Sequence, residues 1–198
     1  MILYGASGHG KVIHDILKSQ DKGMEITFVD DADKGTSFYG CPLQKSQDIK
    51  VAEPLIIAIG NNVTRKKIAE NYQNFSIAIH SSAVISPTVQ MGEGTVIMAN
   101  VSCNADTRIG RHVILNTSAS IDHDCEIADF AHISPHASLA GNVSVGEGAH
   151  VGIGACVIQG MKIGKYAVVG AGSVIINDVP DFATVVGNPA RIIKTENL

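Results

Sequence analysis

Hydrophobic and polar positions follow two different rules along this chain, and the change falls near residue 80. From Ile85 onward an apolar side chain returns at every sixth position: Ile85, Met91, Ile97, Cys103, Ile109, Leu115, Ile121, Ile127, Ile133, Leu139, Val145, Val151, Val157, Ile163, Val169 and Ile175. Four places after each stands a second slot of small or medium residues, as at Val101, Ala119, Cys125, Ala131, Ala149 and Ala167. An α-helix has a period of about 3.6 and a half-buried strand a period of about 2, so neither makes this register. A period of six predicts a parallel β-helix, in which each unit is one short strand plus a corner and three units close a triangular coil of about eighteen residues. Both slots then point inward, and the coils stack at the strand spacing of roughly 4.8 Å. Glycine often follows the large apolar residue, at Gly92, Gly110, Gly146, Gly152, Gly164 and Gly170, where a corner is expected to need an unhindered backbone. A β-sandwich would require alternation of period two with turn signals every ~8–12 residues, a pattern that does not fit this register.

The residues before the repeat alternate between strand-like and helix-like patterns. Ile2 to Tyr4 is a short apolar strand, GASGHG a glycine-rich turn, and Val12, Ile13, Ile16 and Leu17 fall at helical spacing. A second strand, Ile26 to Val29, ends at Asp30 and Asp31. A third, Leu55 to Ile59, ends in Gly60, Asn61 and Asn62 and leads to a helix from about Thr64 to Tyr72 with Arg65 in its first turn. This order predicts a small parallel sheet with helices, a Rossmann-like α/β domain over residues 1–80, followed by the all-β helix over 81–198. Ligands of such sheets collect at the carboxyl ends of the strands, where Gly5 to Gly10, Asp30, Asp31 and Gly60 to Asn62 all fall. Backbone amides of the GASGHG turn, at a helix N-terminus, suit a phosphate, and an acidic residue about 20 positions on suits ribose hydroxyls. The spacing is G-x-x-G-x-G rather than the G-x-G-x-x-G of dinucleotide enzymes. The expectation is therefore a nucleotide other than NAD, set against a turn that merely needs its glycines.

Composition removes several classes. With 198 residues and 45% hydrophobic content the chain can bury the core of one large domain plus a small one. A formal net charge of -4 supplies no basic footprint for nucleic acid or an anionic membrane. No apolar run approaches the ~18 residues of a membrane span, and Met1 leads straight into a strand without a charged leader, so a cytoplasmic location is expected. Cys41, Cys103, Cys125 and Cys156 show no ligand spacing and read as free thiols, and no metal is expected.

Within the repeat, the stretch from Ile121 to His132, IDHDCEIADFAH, is dense in titratable groups. In the six-residue frame Ile121, Cys125, Ile127 and Ala131 point inward, which leaves Asp122, His123, Asp124, Glu126 and His132 at corners or on outer faces. Gly141 stands one coil beyond His123 at the same corner, roughly 5 Å away. His132 and His150 have the same spacing and are expected to stack.

The repeat resembles that of the hexapeptide acyltransferases. Together, YGASGHGKV, the pair Asp30 and Asp31, AIGNN with a following RKKI, ILNTSASIDHDCEI and LAGNVSVG resemble one branch of them, the nucleotide-sugar N-acetyltransferases of bacterial glycan pathways of the UDP-N,N′-diacetylbacillosamine type. This resemblance covers essentially the whole chain. It implies a left-handed β-helix, a homotrimer with active sites at subunit interfaces, and acetyl-CoA as co-substrate bound along the helix, with no metal. It further implies an N-terminal domain that holds a UDP-4-amino-4,6-dideoxy-N-acetylhexosamine through Gly8, His9, Gly10, Asp30, Asp31, Gly60, Asn61, Asn62 and Arg65.

By the same resemblance His123 is the catalytic base, with Asp124 as its partner where the typical bacillosamine enzyme has Glu, and Asp122 as the alternative. Acetyl transfer to an amine needs the nitrogen to lose a proton, and imidazole, with a reference pKa of about 6.5, suits that task at neutral pH. A carboxylate would fix its tautomer. Asn116, His132 and Gly141 are implied at the thioester, Gly141 through a backbone N–H that meets developing negative charge. The segment VVGNPARIIK, with Gly187, Asn188 and Pro189, resembles the one that follows the last coil and contributes to the coenzyme site. No nucleophilic serine motif is present, so direct attack is expected. A sialic acid-type sugar O-acetyltransferase is the alternative, and a non-catalytic nucleotide sensor would leave His123 beside its carboxylate unexplained.

Overall fold

The structure is a computed structural model that describes residues 1–49 and 53–195. From Ala78 the chain winds through two-residue strands into three faces. One face has six strands, from Val84–Ile85 to Val174–Ile175, and a second has five, from Gln90–Met91 to Lys162–Ile163. The third has eight, from Ala78–Ile79 through His132–Ile133 to a closing antiparallel hairpin, Ala183–Gly187 with Ala190–Thr195. Strands one coil apart pair in parallel, so that Ser120 and Ile121 lie beside Ser138 and Leu139, and His132 and Ile133 beside His150 and Val151. Both apolar slots face inward as the period demands, and Ile97, Leu115, Ile133 and Val151 pack with Val101, Ala119, Ala137 and Ala155 in one continuous buried core.

The corners obey a rule of their own. Asn100, Asp106, His112, Ser118, Asp124, Phe130, His136 and Asn142, each three residues after a large apolar position, have φ between 54° and 60°. Asn and Asp tolerate this left-handed region best. The glycines expected to relieve the corner backbone serve a different need. A methyl group would lie 2.4 Å from Asp129 Oδ1 at Gly110, 2.6 Å from Lys165 N at Gly146 and 2.3 Å from Asp181 N at Gly164. These positions are glycine because the next coil passes that close.

The N-terminal part contains β1 (Ile2–Tyr4), α1 (Gly8–Gln20), β2 (Thr27–Val29), β3 (Ser37–Phe38), β4 (Cys41–Gln44), β5 (Leu55–Ile57) and α2 (Asn62–Ala69). Its sheet runs β3-β4-β2-β1-β5, parallel except for the β3–β4 hairpin. The sequence pattern does not predict that hairpin, because its strands are too short to alternate and its turn is Tyr39-Gly40, both at positive φ, rather than Asn-Gly. Helix α1 buries Gly10, Ile13, Ile16 and Leu17, whereas Val12 faces outward. Helix α2 starts two residues earlier than its apolar pattern suggests, since the Asn61 side chain caps it by accepting from Thr64 N.

The two parts share a core. Ile13, Ile16, Ala78, Val96, Met98 and Ile114 belong to one buried cluster, and the eight-stranded face begins with Ala78–Ile79, just ahead of residue 81. At the corner beside it His112, 2% exposed, stacks on Phe130 with ring centroids 5.0 Å apart, and Phe75 meets it edge-on at 4.3 Å. Among the described residues its Nδ1 has no hydrogen-bond partner, and burial pushes its pKa down to about 4.

Two outcomes follow from this packing. Leu139→Ala removes a fully enclosed side chain of the β-helix core and is expected to cost about 2–5 kcal/mol, read from the denaturant midpoint at unchanged slope. Folded His112 stays neutral down to about pH 4, whereas the unfolded chain takes up that proton at about pH 6.5. The stability it carries is therefore complete above that reference value and is lost as pH falls toward the folded one. His112→Phe, in a corner slot whose neighbour Phe130 already holds a phenyl ring, is expected to lessen the fall in thermal midpoint over this range. Equal falls in the two proteins would exclude His112 as a source of acid sensitivity.

Candidate active site

His123 belongs to the corner between Ser120–Ile121 and Glu126–Ile127, where the six-stranded and five-stranded faces meet. Ile121 and Cys125 are anchored in the core on either side, which leaves the three residues between them outside. His123 Nδ1 lies 2.7 Å from Asp124 Oδ2. Asp122 is engaged elsewhere, accepting at Oδ1 from Asn104 Nδ2 at 2.8 Å and from His123 N at 2.9 Å. Of the two carboxylates the sequence leaves open, Asp124 meets the ring and Asp122 braces the corner. The hydrogen bond to Asp124, and next the charge of Asp122, raise the imidazole above its ordinary pKa. With Nδ1–H directed at the carboxylate, Nε2 is the lone pair free to take a proton.

Gly141 lies against that ring, and a methyl group there would sit 2.7 Å from Cε1 and 2.8 Å from Nε2. Asn142 N donates to His123 O, which fixes one coil under the other. Among the described residues the Gly141 N–H, beside the His123 ring, has no hydrogen-bond partner.

A second cluster sits on the eight-stranded face, roofed by the start of α2. Gly60, Asn61, Asn62 and Val63 form one wall of a cleft of about 750 Å³, with His132, Gly148, His150, Tyr166, Val168 and Phe182 opposite. His132 and His150 stack as expected, with centroids 4.8 Å apart and planes at 3°. Asn116 Oδ1 accepts from Thr117 N, which orients the amide so that Nδ2 donates to His132 Nε2 at 3.0 Å. The neutral His132 ring therefore carries its proton on Nδ1, a buried atom without a hydrogen-bond partner. Burial, and next the neighbouring His150 and Arg65, push its pKa down to about 3. His150 bonds Ser134 Oγ at 2.7 Å and is lowered chiefly by burial. His132 is thus no solvated outer-face residue, as the repeat frame taken alone suggests, because the α/β domain covers it.

At the strand ends the candidates divide. Asp30 Oδ2 accepts from Ala6 N at 3.0 Å and from Lys34 Nζ at 2.7 Å, while Asp31 accepts from Tyr4 Oη at 2.6 Å and from Ser46 N at 3.0 Å. Both carboxylates already brace their own domain. Gly8 opens α1 with free space around it, whereas a methyl at Gly10 would lie 2.4 Å from Gly5 O, so Gly10 serves the strand-to-helix packing. His9 Nε2 is buried without a partner among the described residues, and burial and then Arg65 push the ring down to about 4.

Arg65 departs furthest from expectation. It is 1% exposed, and its guanidinium donates to main-chain carbonyls of both domains and to Asn62 Oδ1, which leaves nothing to offer a phosphate. The Asn62 amide donates to Gly148 O and Ala149 O. The sequence reading missed Val63, Gly148, Tyr166, Val168 and Phe182. The coil step that pairs His132 with His150 also reaches Val168, and from Gly148 it reaches Tyr166, so part of this wall was accessible.

Gly187, Asn188 and Pro189 lie at the tip of the C-terminal hairpin, with Gly187 at φ 103° and its N donating to Ser173 Oγ. The hairpin adds to the same face as the cleft. His132, His150, Val168 and Thr184 occupy successive rungs, roughly 14 Å from first to last at the strand spacing. In a triangular coil, however, the His123 corner lies opposite this face. Within one chain His123 and the His132 cleft point away from each other.

Comparison with known proteins bears on this arrangement. Residues 1–72 match the PglD N-terminal domain. PerB from Caulobacter crescentus, solved with CoA and GDP-perosamine, is 39% identical with a TM-score of 0.90, covering 98% of this chain and 96% of that one. The acetyltransferase domain of PglB from Neisseria gonorrhoeae FA1090, solved with acetyl coenzyme A, is 37% identical with a TM-score of 0.91, covering 97% and 98%. The UDP-N-acetylbacillosamine N-acetyltransferase of Bacillus subtilis (strain 168) is 43% identical over 108 residues, 49% of this chain and 50% of that protein, so the chain matches about half the length of this curated relative. The chain belongs to the hexapeptide-repeat family of sugar N-acetyltransferases, whose solved members include complexes with acetyl-CoA and CoA. A perosamine N-acetyltransferase from Caulobacter crescentus is also known with one histidine changed to asparagine or alanine, in each case with CoA and GDP-perosamine bound. Among the described residues no helix is long and apolar enough to cross a membrane, and no group of His, Cys, Asp or Glu is arranged to hold a metal ion.

The His123 pKa offers a direct check of the corner. Asp124→Asn is expected to lower it more than Asp122→Asn does, as followed by the ring-proton chemical shift during an NMR titration. The reverse order would make Asp122 the partner.

Proposed function

We propose that the chain transfers the acetyl group of acetyl-CoA to the 4-amino group of a UDP-4-amino-4,6-dideoxy-N-acetylhexosamine, by direct attack with His123 as general base. The observation that carries this reading is His123 Nδ1 at 2.7 Å from Asp124 Oδ2, with Nε2 open and Gly141 beside it. Nε2 takes the proton that the amine must lose as it attacks, and Asp124 stabilises the imidazolium that results. The free Gly141 N–H meets the negative charge that develops on the thioester oxygen.

Neutral His132, held by Asn116, lines the cleft with an uncharged ring, and the roughly 14 Å run of rungs from His132 to the strand that carries the Gly187–Pro189 turn gives an extended coenzyme arm a path along one face. The nucleotide end of the acceptor belongs at the carboxyl ends of β1 and β5, near Gly8, Gly60 and Asn61. Because the base and the cleft lie on opposite sides of one coil, the reading includes a homotrimer, in which the His123 corner of one chain faces the cleft of the next. A cytoplasmic enzyme using acetyl-CoA and a sugar nucleotide completes it.

A GDP-linked amino sugar is the second reading, favoured because PerB, the relative that holds GDP-perosamine, matches over nearly the whole chain.

The test is thiol release from acetyl-CoA with the UDP-linked amino sugar, a GDP-linked amino sugar and free sialic acid as separate acceptors. Release with the UDP sugar is expected. Release with the GDP sugar alone would transfer the activity to the second reading, and release with sialic acid alone would make the protein an O-acetyltransferase. His123→Ala is expected to lower kcat by about 10²- to 10⁴-fold with acetyl-CoA binding little changed. Activity within a few-fold of the unaltered protein would remove the base assigned here.

A further inference from the structure

Arg65 is a residue type that sequence reasoning sends to a phosphate, yet the fold withdraws it from any ligand. Its Nε donates to His112 O at 2.9 Å, and Nη1 donates to Ile59 O at 3.0 Å and Gly60 O at 3.2 Å. Nη2 donates to Asn62 Oδ1 at 2.9 Å, Phe130 O at 2.7 Å and, more weakly, Ala131 O at 3.4 Å. A guanidinium has five N–H donors in one plane, and here all of them are committed. No carboxylate pairs with it among the described residues. Burial lowers its pKa to about 9, so the side chain remains a cation at neutral pH.

The acceptors sit at telling places. Ile59 and Gly60 lead into the wall of the cleft on the α/β side, and Ala131 immediately precedes His132 on the other. Asn62, itself held by Arg65, reaches one coil further to Gly148 O and to Ala149 O, and Ala149 immediately precedes His150. The two side chains thus tie the Gly60–Val63 wall to the backbone on which both cleft histidines are mounted.

We propose that Arg65 and Asn62 form a positioning clamp that sets the separation of the two cleft walls, and through it the binding and alignment of the acceptor. This proposal rests on the acetyltransferase reading for its kinetic consequence and on the geometry alone for its mechanical one. Arg65 touches no substrate and acts through the Gly60–Val63 wall, the side on which the acceptor's nucleotide end is placed. Lysine is no substitute, because a single ammonium cannot reach carbonyls lying on several sides of one plane.

The experiment uses full-length Arg65→Lys, Arg65→Met and Asn62→Ala, with Lys67→Ala on the exposed face of α2 as control. Acceptor kinetics, acetyl-CoA binding by calorimetry and amide hydrogen exchange are measured on each. The two Arg65 variants are expected to raise the acceptor KM and lower kcat, together a loss of at least about tenfold in kcat/KM. Acetyl-CoA affinity should change little, and exchange should accelerate over Asn62–Ala69 while the β-helix strands stay protected. Asn62→Ala is expected to do the same more weakly.

Wild-type acceptor kinetics in Arg65→Met, full rescue by Arg65→Lys, or equal loss of acetyl-CoA and acceptor binding would each overturn the clamp. Should the unaltered protein acetylate no amino-sugar nucleotide, the proposed function fails by itself. The clamp is then judged by exchange alone, and unchanged protection of Asn62–Ala69 in Arg65→Met would refute it.

Discussion

The parallel hydrogen-bond ladder between coils is the constraint from which the rest of this structure follows. Ser120 N bonds Ala137 O, Asp122 N bonds Leu139 O, and His132 N bonds Ala149 O, each joining one turn to the next in fixed register. Residues one coil apart are therefore neighbours whatever their chemistry. That is why His132 lies on His150, why Phe130 lies on His112, and why the backbone of Gly141 passes under the His123 ring. The ladder also explains the cost of an error. A slip of one residue would turn every apolar slot outward, and the alternation of large and small inward residues leaves no second register that fills the core.

A different kind of interaction joins the two domains. Among the described residues the buried side-chain nitrogens without partners, His9 Nε2, His112 Nδ1 and His132 Nδ1, all belong to rings that Arg65 helps to keep neutral. A guanidinium enclosed by carbonyl oxygens has its hydrogen bonds satisfied but its charge unpaired, so every imidazole nearby resists a second positive charge. The junction combines an apolar cluster, an aromatic stack and a cation, and among these only the cation reaches both walls of the cleft.

The repeating half of the fold was legible because its signal is redundant. Sixteen inward positions in one register leave no competing period, and the stack of His132 on His150 follows from arithmetic. The N-terminal half was legible in outline only. Short parallel strands ending in glycine announced themselves, but the β3–β4 hairpin rests on four residues and a Tyr-Gly turn that resembles ordinary loop. Arg65 could not be placed from sequence at all. An arginine in the first turn of a helix beyond a strand end is equally suited to a phosphate and to a cage of carbonyls, and the far side of that cage comes from residues 47 and 65 positions further on. The same limit applies to Asp30 and Asp31, whose partners Ala6, Tyr4 and Ser46 become neighbours only once the sheet has formed.

The histidines show how one scaffold yields opposite chemistries from one side chain. At the exposed corner two carboxylates raise the His123 pKa, and Asp124, bonded to Nδ1, turns Nε2 away from itself, as the proposed base requires. On the covered face burial, and next His150 and Arg65, lower His132, and Asn116 fixes its tautomer, which keeps the ring neutral. In the proposed reaction, a proton acceptor and an uncharged ring, set apart by environment rather than by residue type, suit an attack on a thioester by an amine. The triangular coil keeps them on opposite sides of one chain, so the two environments do not neutralise each other. On the proposed trimeric assembly they meet only where one copy's corner approaches another's cleft, and each group arrives there with its protonation state already set by its own chain.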